Sequence, residues 1–111
     1  MSASKPELAF QVTIHLAPED VDKFLEISRP AFERIKSEPG LTFFELYRSP
    51  EDPGALSWSE KWTESIEYIL QEHVNKDYMK EYLAATEPMF TKPREVRFLN
   101  PIGPPFYYQK A

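Results

Sequence analysis

Few side chains of this 111-residue chain are suited to moving a proton near neutral pH. There are two histidines, His15 and His73, and no cysteine. A free imidazole has a pKa of about 6.5 and therefore accepts a proton at neutral pH. His73 lies in a segment whose apolar residues have helical spacing, so it is the better candidate for a general base. The alternative is a helix histidine that hydrogen-bonds a backbone carbonyl or is half exposed. His15 lies near a strand end and is expected at the surface.

A metal site built by the protein is not expected. Without cysteine the chain has no thiolate ligands and no disulfides. The two histidines do not form an HxxxH or HxH pair, so a metal ion would depend on carboxylates alone. The lack of cysteine also suits a reducing compartment, and we expect a cytoplasmic protein.

Aromatic side chains are the second group that suggests a site. Trp58 and Trp62 share one face of a strand-like segment, because every second residue of a strand points the same way. Four tyrosines are expected to line the same space: Tyr47, Tyr68, Tyr78 and Tyr82. Such rings form pockets for flat, largely apolar ligands of phenolic or polyketide-like chemistry. The alternative for each ring is a place in the hydrophobic core.

Charged residues near these rings need partners if they are buried. Glu60 lies between the two tryptophans, and a buried carboxylate without a partner is costly. We therefore predict that Glu60 is a salt-bridged structural residue, with general base as the alternative. Lys80 and Arg97 are candidates to offset the charge of a substrate anion, or else solvated surface charges.

Composition indicates one globular domain spanning residues 1–111, with a core over 9–100 and a proline-rich tail over 101–111. Hydrophobic residues make up 41% of the chain, which is enough for a packed core. The net charge of −5 and the scattered lysines and arginines disfavour nucleic-acid binding. No apolar run approaches the roughly 20 residues that span a bilayer, and MSASKPELAF does not resemble a secretory signal.

The hydrophobic periodicity, divided by eleven prolines, predicts six elements in the order strand, helix, strand, strand, helix, strand. The strands are expected at 9–16, 41–48, 55–62 and 94–99, the helices at 18–38 and 64–87, with Thr63 capping the second helix and a turn at 49–54. This order predicts an α+β, ferredoxin-like βαββαβ fold with a four-stranded antiparallel sheet.

The second predicted strand has large apolar residues on both faces. Leu41, Phe43 and Tyr47 alternate with Phe44 and Leu46. One face is expected to pack on the helices, and the other then needs a cover. Packing against the sheet of a second copy would supply that cover, so we expect a homodimer.

Two neighbouring segments, EPGLTFFELYRSPEDPG and EKWTESIEYILQEHVNKDYMKEYLAA, resemble the antibiotic biosynthesis monooxygenase (ABM) superfamily. The shared features are a Pro-Gly turn before a strand, a Glu-x-Trp triplet at 60–62, and a helix with a histidine five residues before an aromatic position, here His73 and Tyr78. The resemblance extends from Phe10 to Leu99. It implies a dimeric α/β barrel, and the superfamily includes several different activities.

One branch of that superfamily, which includes the anthrone oxygenases of aromatic polyketide pathways, works without a cofactor. It uses a strand tryptophan, a helix tyrosine and an asparagine. Trp62 and Tyr68 match the first two, which implies catalytic roles for both, whereas Trp58 occupies the asparagine position. The haem-degrading branch needs a histidine where Leu83 stands, so haem degradation is disfavoured. The quinol-oxygenase and signalling-molecule-processing branches have looser motifs and remain open.

Gln11 falls where the haem-degrading branch has an asparagine. The resemblance therefore implies that Gln11 donates to a bound oxygen or carbonyl in the substrate site. The alternative is an amide that is hydrogen-bonded inside a dimer interface.

We therefore expect a cofactor-independent tailoring enzyme of secondary metabolism that acts on an aromatic or polyketide-like molecule, foremost as an oxygenase of a phenol, anthrone or quinol. The substrate must first lose a proton to become electron-rich, with His73 as the base. The same pocket would serve a cofactor-free decarboxylase, cyclase or isomerase, or a non-catalytic metabolite-binding barrel. The aromatic tail residues Phe106, Tyr107 and Tyr108 are expected to bind a partner protein or to lock the dimer.

Overall fold

The computed structural model describes residues 7–111. Residues 1–6, which include most of the segment considered as a secretory signal, lie outside the described part. The strands are β1 (Leu8–Leu16), β2 (Leu41–Arg48), β3 (Ala55–Trp62) and β4 (Phe90–Leu99). The α-helices are α1 (Val21–Lys36), α2 (Ile66–Tyr68) and α3 (Asp77–Thr86), with 3₁₀ turns at Pro18–Asp20 and Glu87–Met89 and a π-helical turn at Ile69–His73.

The four strands form one antiparallel sheet in the order β2-β3-β1-β4. This arrangement confirms the predicted α+β, ferredoxin-like fold. In the central strand β1, Phe10, Val12, Ile14 and Leu16 are buried, whereas Gln11 between them is exposed. One face of the sheet therefore packs on the helices, and the alternation of residue types determines which face does so.

Helix α1 lies within the predicted segment, with Pro18 in the 3₁₀ turn that precedes it and Pro30 inside it. Its buried residues recur at helical spacing and face the sheet: Val21, Phe24, Ser28, Ala31, Phe32 and Ile35. The helix ends before Glu38-Pro39-Gly40, where proline cannot continue it. Strand β2 therefore begins immediately after this turn.

The second helical stretch differs from the prediction. It is not one helix over 64–87, because a π-helical turn and an extended Lys76 separate α2 from α3. The amide of Val74 donates to the carbonyl of Ile69, 3.1 Å away, which is the i to i+5 bond of a π-helix. Ser65, not Thr63, caps the stretch by accepting from the amide of Tyr68 at 3.1 Å. Strand β4 begins at Phe90, four residues earlier than predicted.

Strand β2 also corrects one predicted face. A register shift between Leu41 and Phe43 places Leu41 opposite Trp62, and Leu41 packs against the core. Phe44 and Leu46 likewise pack against the core, as expected. Phe43 and Tyr47 lie on the other face, 40% and 42% exposed. That face, which we call the outer face, remains partly apolar.

The tail over 101–111 contains no helix or strand. Lys61 Nζ, on the outer face, lies 4.9 Å from the centre of the Tyr107 ring and 5.6 Å from that of Phe43. Three other large apolar tail residues are exposed: Ile102, Phe106 and Tyr108. Within residues 7–111, no helix is long and apolar enough to cross a bilayer.

Candidate active site

A cavity of about 190 Å³ lies between the helix-facing side of the sheet and the chain from the π-helical turn to α3. Its walls are largely apolar. The sheet contributes Phe10, Val12, Ile14, Trp58, Phe90, Val96 and Phe98, and the helical side contributes Phe32, Ile35, Ile69, Leu70, Val74, Met79 and Leu83. Leu70, Val96 and Arg94 are lining residues that are also exposed, so the cavity opens beside β4.

Four lining side chains have polar groups: Glu60, His73, Tyr82 and Arg94. Arg94, at the opening, forms an ion pair with Glu87 at 3.0 Å. Tyr82 is buried, and burial raises the pKa of its phenol, so it stays protonated. Glu60 and His73 are therefore the two buried lining groups whose side chains are suited to taking up or releasing a proton.

His73 is buried against Trp62, whose ring centre lies 4.7 Å from that of the imidazole. Nδ1 of His73 lies 2.9 Å from Oε2 of Glu38, which is also buried. Burial lowers the pKa of His73, and the Glu38 charge only partly opposes this effect. The neutral imidazole must donate from Nδ1, because an ionised carboxylate can only accept. Nε2 is then the unprotonated nitrogen, as a general base requires.

Glu38 is kept ionised by its other partners. Lys76 Nζ donates to Oε1 at 2.8 Å, and the Tyr78 hydroxyl donates to Oε2. Burial alone would raise the pKa of Glu38, but the hydrogen bonds from Lys76 and Tyr78 and the positive charge of Lys76 lower it. Arg34 lies 4.7 Å from the centre of the Tyr78 ring. Through its hydrogen bond, Tyr78 supports Glu38. It is not among the cavity-lining residues.

Glu60 is bound by both indoles. Trp62 Nε1 donates to Oε1 at 2.8 Å and Trp58 Nε1 donates to Oε2 at 3.0 Å. None of the ion pairs among residues 7–111 includes Glu60, so the predicted salt bridge is wrong. Burial raises the pKa of Glu60 to about 7, although the two indole bonds lower it. The carboxyl is therefore close to half-protonated at neutral pH.

The structure brings only some of the predicted site residues together. His73, Trp58 and Tyr82 line the cavity, and Trp62 lies behind it in contact with both His73 and Glu60. The ring of Tyr68 is 6.4 Å from that of Trp62 and does not line the cavity.

The remaining candidates lie on the other face of the sheet or on the surface. Gln11 and Tyr47 lie on the outer face, away from the cavity, and Arg97 is paired with Gln11 there. Lys80 is exposed on α3. His15 Nε2 lies 2.9 Å from Glu95 in a partly exposed pair. The outer-face positions of Gln11 and Tyr47 separate them from the cavity by the thickness of the sheet.

Three residues of this site were missed by the sequence reasoning. Arg94 and Lys76 were not singled out, and Glu38 was treated only as the end of a helix. One signal for Glu38 was present, because an acidic side chain at the C-terminal end of a helix is disfavoured by the helix dipole and suggests another role. Within residues 7–111, no three His, Cys, Asp or Glu side chains cluster closely enough to hold a metal ion.

Comparison with known proteins identifies relatives of this chain. The family model for antibiotic biosynthesis monooxygenases matches residues 8–85. A protein of Pestalotiopsis microspora, whose name provisionally calls it a monooxygenase, is 40% identical over 100 residues. The match covers 88% of this chain and 83% of that protein.

Solved structures share the fold at low identity. A conserved protein from Methanosarcina mazei Go1 superposes with a TM-score of 0.77 at 22% identity, over 86% of this chain and 93% of its own. A protein from Nitrosomonas europaea, provisionally described as an antibiotic biosynthesis monooxygenase, has a TM-score of 0.79 at 16% identity, over 94% and 98%. At these identities the likeness shows the fold alone.

Proposed function

The chain belongs to the antibiotic biosynthesis monooxygenase family, and from that premise we propose that it is a cofactor-independent oxygenase of a phenolic, quinol or anthrone-type molecule. The observation that supports this most directly is an apolar, aromatic-walled cavity with one oriented imidazole, His73, in its wall. An oxygenase that uses the substrate itself as reductant needs a base and a dry cavity.

The proposed reaction begins with proton removal. Nε2 of His73 takes the proton of the substrate, and the resulting delocalised anion passes one electron to oxygen. Glu38 stabilises the imidazolium that forms, because its carboxylate is bonded to Nδ1. Trp62, packed on the imidazole, keeps the ring in place, and the protein supplies no electrons.

Atoms and electrons balance without an added reductant. The substrate gains one oxygen atom and loses two hydrogens, which leave with the second oxygen atom as water. Phenol would give benzoquinone, a hydroquinone would give a hydroxyquinone, and an anthrone would give an anthraquinone.

The size of the cavity favours the smaller substrates of this class. A cavity of about 150 Å³ in another protein holds one benzene ring. The cavity here, at about 190 Å³, suits one substituted ring better than three fused rings. A phenol or quinol is thus favoured over an anthrone.

We also propose that the protein is a homodimer in which the outer faces pack together. Phe43, Tyr47 and Leu99 leave apolar area there, each 40–42% exposed. A second copy would cover this area, and the exposed side of Gln11 would then lie in the interface.

The test is oxygen uptake with methylhydroquinone, above the rate without protein. With wild type we expect oxygen uptake, and without oxygen we expect no turnover of the quinol. In His73→Gln, kcat should fall about 10²- to 10⁴-fold with little change in substrate binding. His15→Gln is the matched control, since His15 lies away from the cavity. Turnover without oxygen would instead indicate a decarboxylase, cyclase or isomerase, and quinol recovered unchanged would indicate a binding barrel. Equal loss of binding and rate in His73→Gln would contradict the role of base.

A further inference from the structure

Glu60 is a buried carboxyl that the proposed oxygenase step does not use. It lines the cavity and is 3% exposed, and each of its oxygens accepts one indole N–H. A carboxylate has about four lone-pair positions, so each oxygen retains acceptor capacity. The two indoles fix the carboxyl plane, because Trp58 and Trp62 are themselves buried.

The other polar groups of the cavity wall differ from Glu60. His73 uses Nδ1 for Glu38 and offers only a neutral acceptor at Nε2, Arg94 lies at the opening in an ion pair with Glu87, and Tyr82 is a protonated phenol. Glu60 is therefore the one anionic acceptor among the residues that line the cavity in the described structure. A ligand hydroxyl would donate to the remaining acceptor capacity of Glu60, whereas an ether would place an apolar group against it.

We propose that Glu60 is the specificity-determining residue of the cavity: it accepts a hydrogen bond from a ring hydroxyl and so selects phenols over their methyl ethers. This proposal rests on the proposed function only in that the cavity binds an aromatic molecule. A buried donor or acceptor left unpaired is heavily penalised, which makes such a site discriminate strongly.

Protonation should weaken this selection. Burial raises the pKa of Glu60 to about 7, so the carboxyl is mostly charged at pH 8.5 and mostly neutral at pH 6. The charged and titratable groups around it are His73 and Tyr82 from the helical side, Arg94 from β4, and Glu38 behind His73. Hydrogen bonds to an ionised acceptor are about twice as strong as neutral ones.

The experiment is calorimetric titration of the full chain with p-cresol and with 4-methylanisole at pH 8.5. For wild type we expect p-cresol to bind roughly 10- to 100-fold more tightly. In Glu60→Met, whose side chain has no oxygen acceptor, the ratio should fall at least several-fold, and in Glu60→Gln, whose amide oxygen is a neutral acceptor, it should fall by less. Glu45→Gln on β2 is the matched control, since Glu45 lies exposed on the outer face and should leave the ratio unchanged.

A second measurement needs no variant: in wild type the ratio should fall when the pH is lowered from 8.5 to 6. Equal binding of the two ligands by wild type would overturn the specificity role while leaving the aromatic cavity in place. A ratio that persists in both Glu60 variants and at pH 6 would also overturn it. Failure of both ligands to bind would overturn both this inference and the proposed function.

Discussion

At the scale of single residues, the site depends on a contact between residues far apart in the chain. Glu38 and His73 are 35 positions apart, and both are nearly fully buried. The pair converts a helix histidine into an imidazole with a fixed tautomer, because Glu38 accepts from Nδ1. Lys76 and Tyr78 in turn keep Glu38 ionised. The base is thus defined by four side chains and not by His73 alone.

Replacing Glu38 by glutamine tests this arrangement. Activity should rise with pH as His73 loses its proton, and this rise should lie below pH 6.5 because burial lowers the pKa of His73. In Glu38→Gln the rise should move to still lower pH, because the charge that favours the imidazolium is gone. The plateau in kcat should fall by roughly 10-fold or more, because glutamine does not fix the tautomer. The measurement is kcat/KM and kcat from pH 4.5 to 9.

Glu33→Gln is the control, because Glu33 forms only an exposed pair with Lys36 on α1. Glu60, with a pKa of about 7, is expected to add a second rise in kcat/KM at higher pH through substrate binding, and in Glu38→Gln this rise should persist but move to slightly lower pH, because the Glu38 charge helps to raise the pKa of Glu60. An unchanged lower rise together with an unchanged plateau in Glu38→Gln would show that Glu38 does not act through His73.

The residue scale also shows what sequence can predict. The face containing Trp58, Glu60 and Trp62 followed from strand alternation, since residues two apart must point the same way. The hydrogen bonds from the two indoles to Glu60 were not predicted. The pattern suggested a buried carboxylate, but it did not indicate that two N–H donors would come from its own strand. Glu38 was missed because its partners are distant in sequence, and no local pattern encodes such a contact.

At the scale of elements, proline and glycine explain why the first half was predictable. The turns at Pro39-Gly40 and Pro53-Gly54 end their elements through backbone constraints that are visible in the sequence. The break before α3 was not visible, because apolar residues keep helical spacing on both sides of it. The π-helical turn lies at this break and contains His73, as such turns often do at functional sites.

Gly54 provides a test of the hairpin that positions β3. Leu16 donates its amide to the Gly54 carbonyl at 2.8 Å, and a Cβ on Gly54 would lie 2.0 Å from the Leu16 carbonyl oxygen. Because that neighbour is backbone, Gly54→Ala should cost about 3 kcal/mol in the free energy of unfolding and lower Tm by roughly 10 °C or more. Thermal unfolding followed by circular dichroism measures this.

Gly40→Ala is the matched comparison. Its added Cβ would meet mainly the Glu64 side chain, at 2.8 Å, and a flexible side chain can move. We therefore expect a smaller loss of stability than for Gly54→Ala. Equal losses in the two variants would contradict the argument that close backbone approach, and not loss of glycine as such, is responsible.

At the scale of the whole molecule, the sheet has one face packed on helices and an outer face that is polar in its centre. Gln11, Thr13, Ser57 and Ser59 occupy adjacent positions there, and Thr13 Oγ1 lies 2.8 Å from Ser57 Oγ. The apolar residues Phe43 and Leu99 flank this centre on the two outer strands. Dimerisation through this face would therefore pair polar groups in the middle and bury apolar groups towards the edges.

Phe43→Asp tests the proposed dimer. Wild type should sediment at twice the chain mass of 13.0 kDa, and the variant at 13.0 kDa, because the apolar contact of Phe43 would be lost and a second carboxylate would join that of Glu45 on the same strand and face. Phe43 is 40% exposed in the single chain, so the fold itself should lose little stability. Glu45→Gln, on the same strand and face, should remain dimeric. A variant that stays dimeric would exclude this face as the interface and would point to the exposed tail residues Ile102, Phe106 and Tyr108 instead. A monomeric wild type would contradict the proposed dimer.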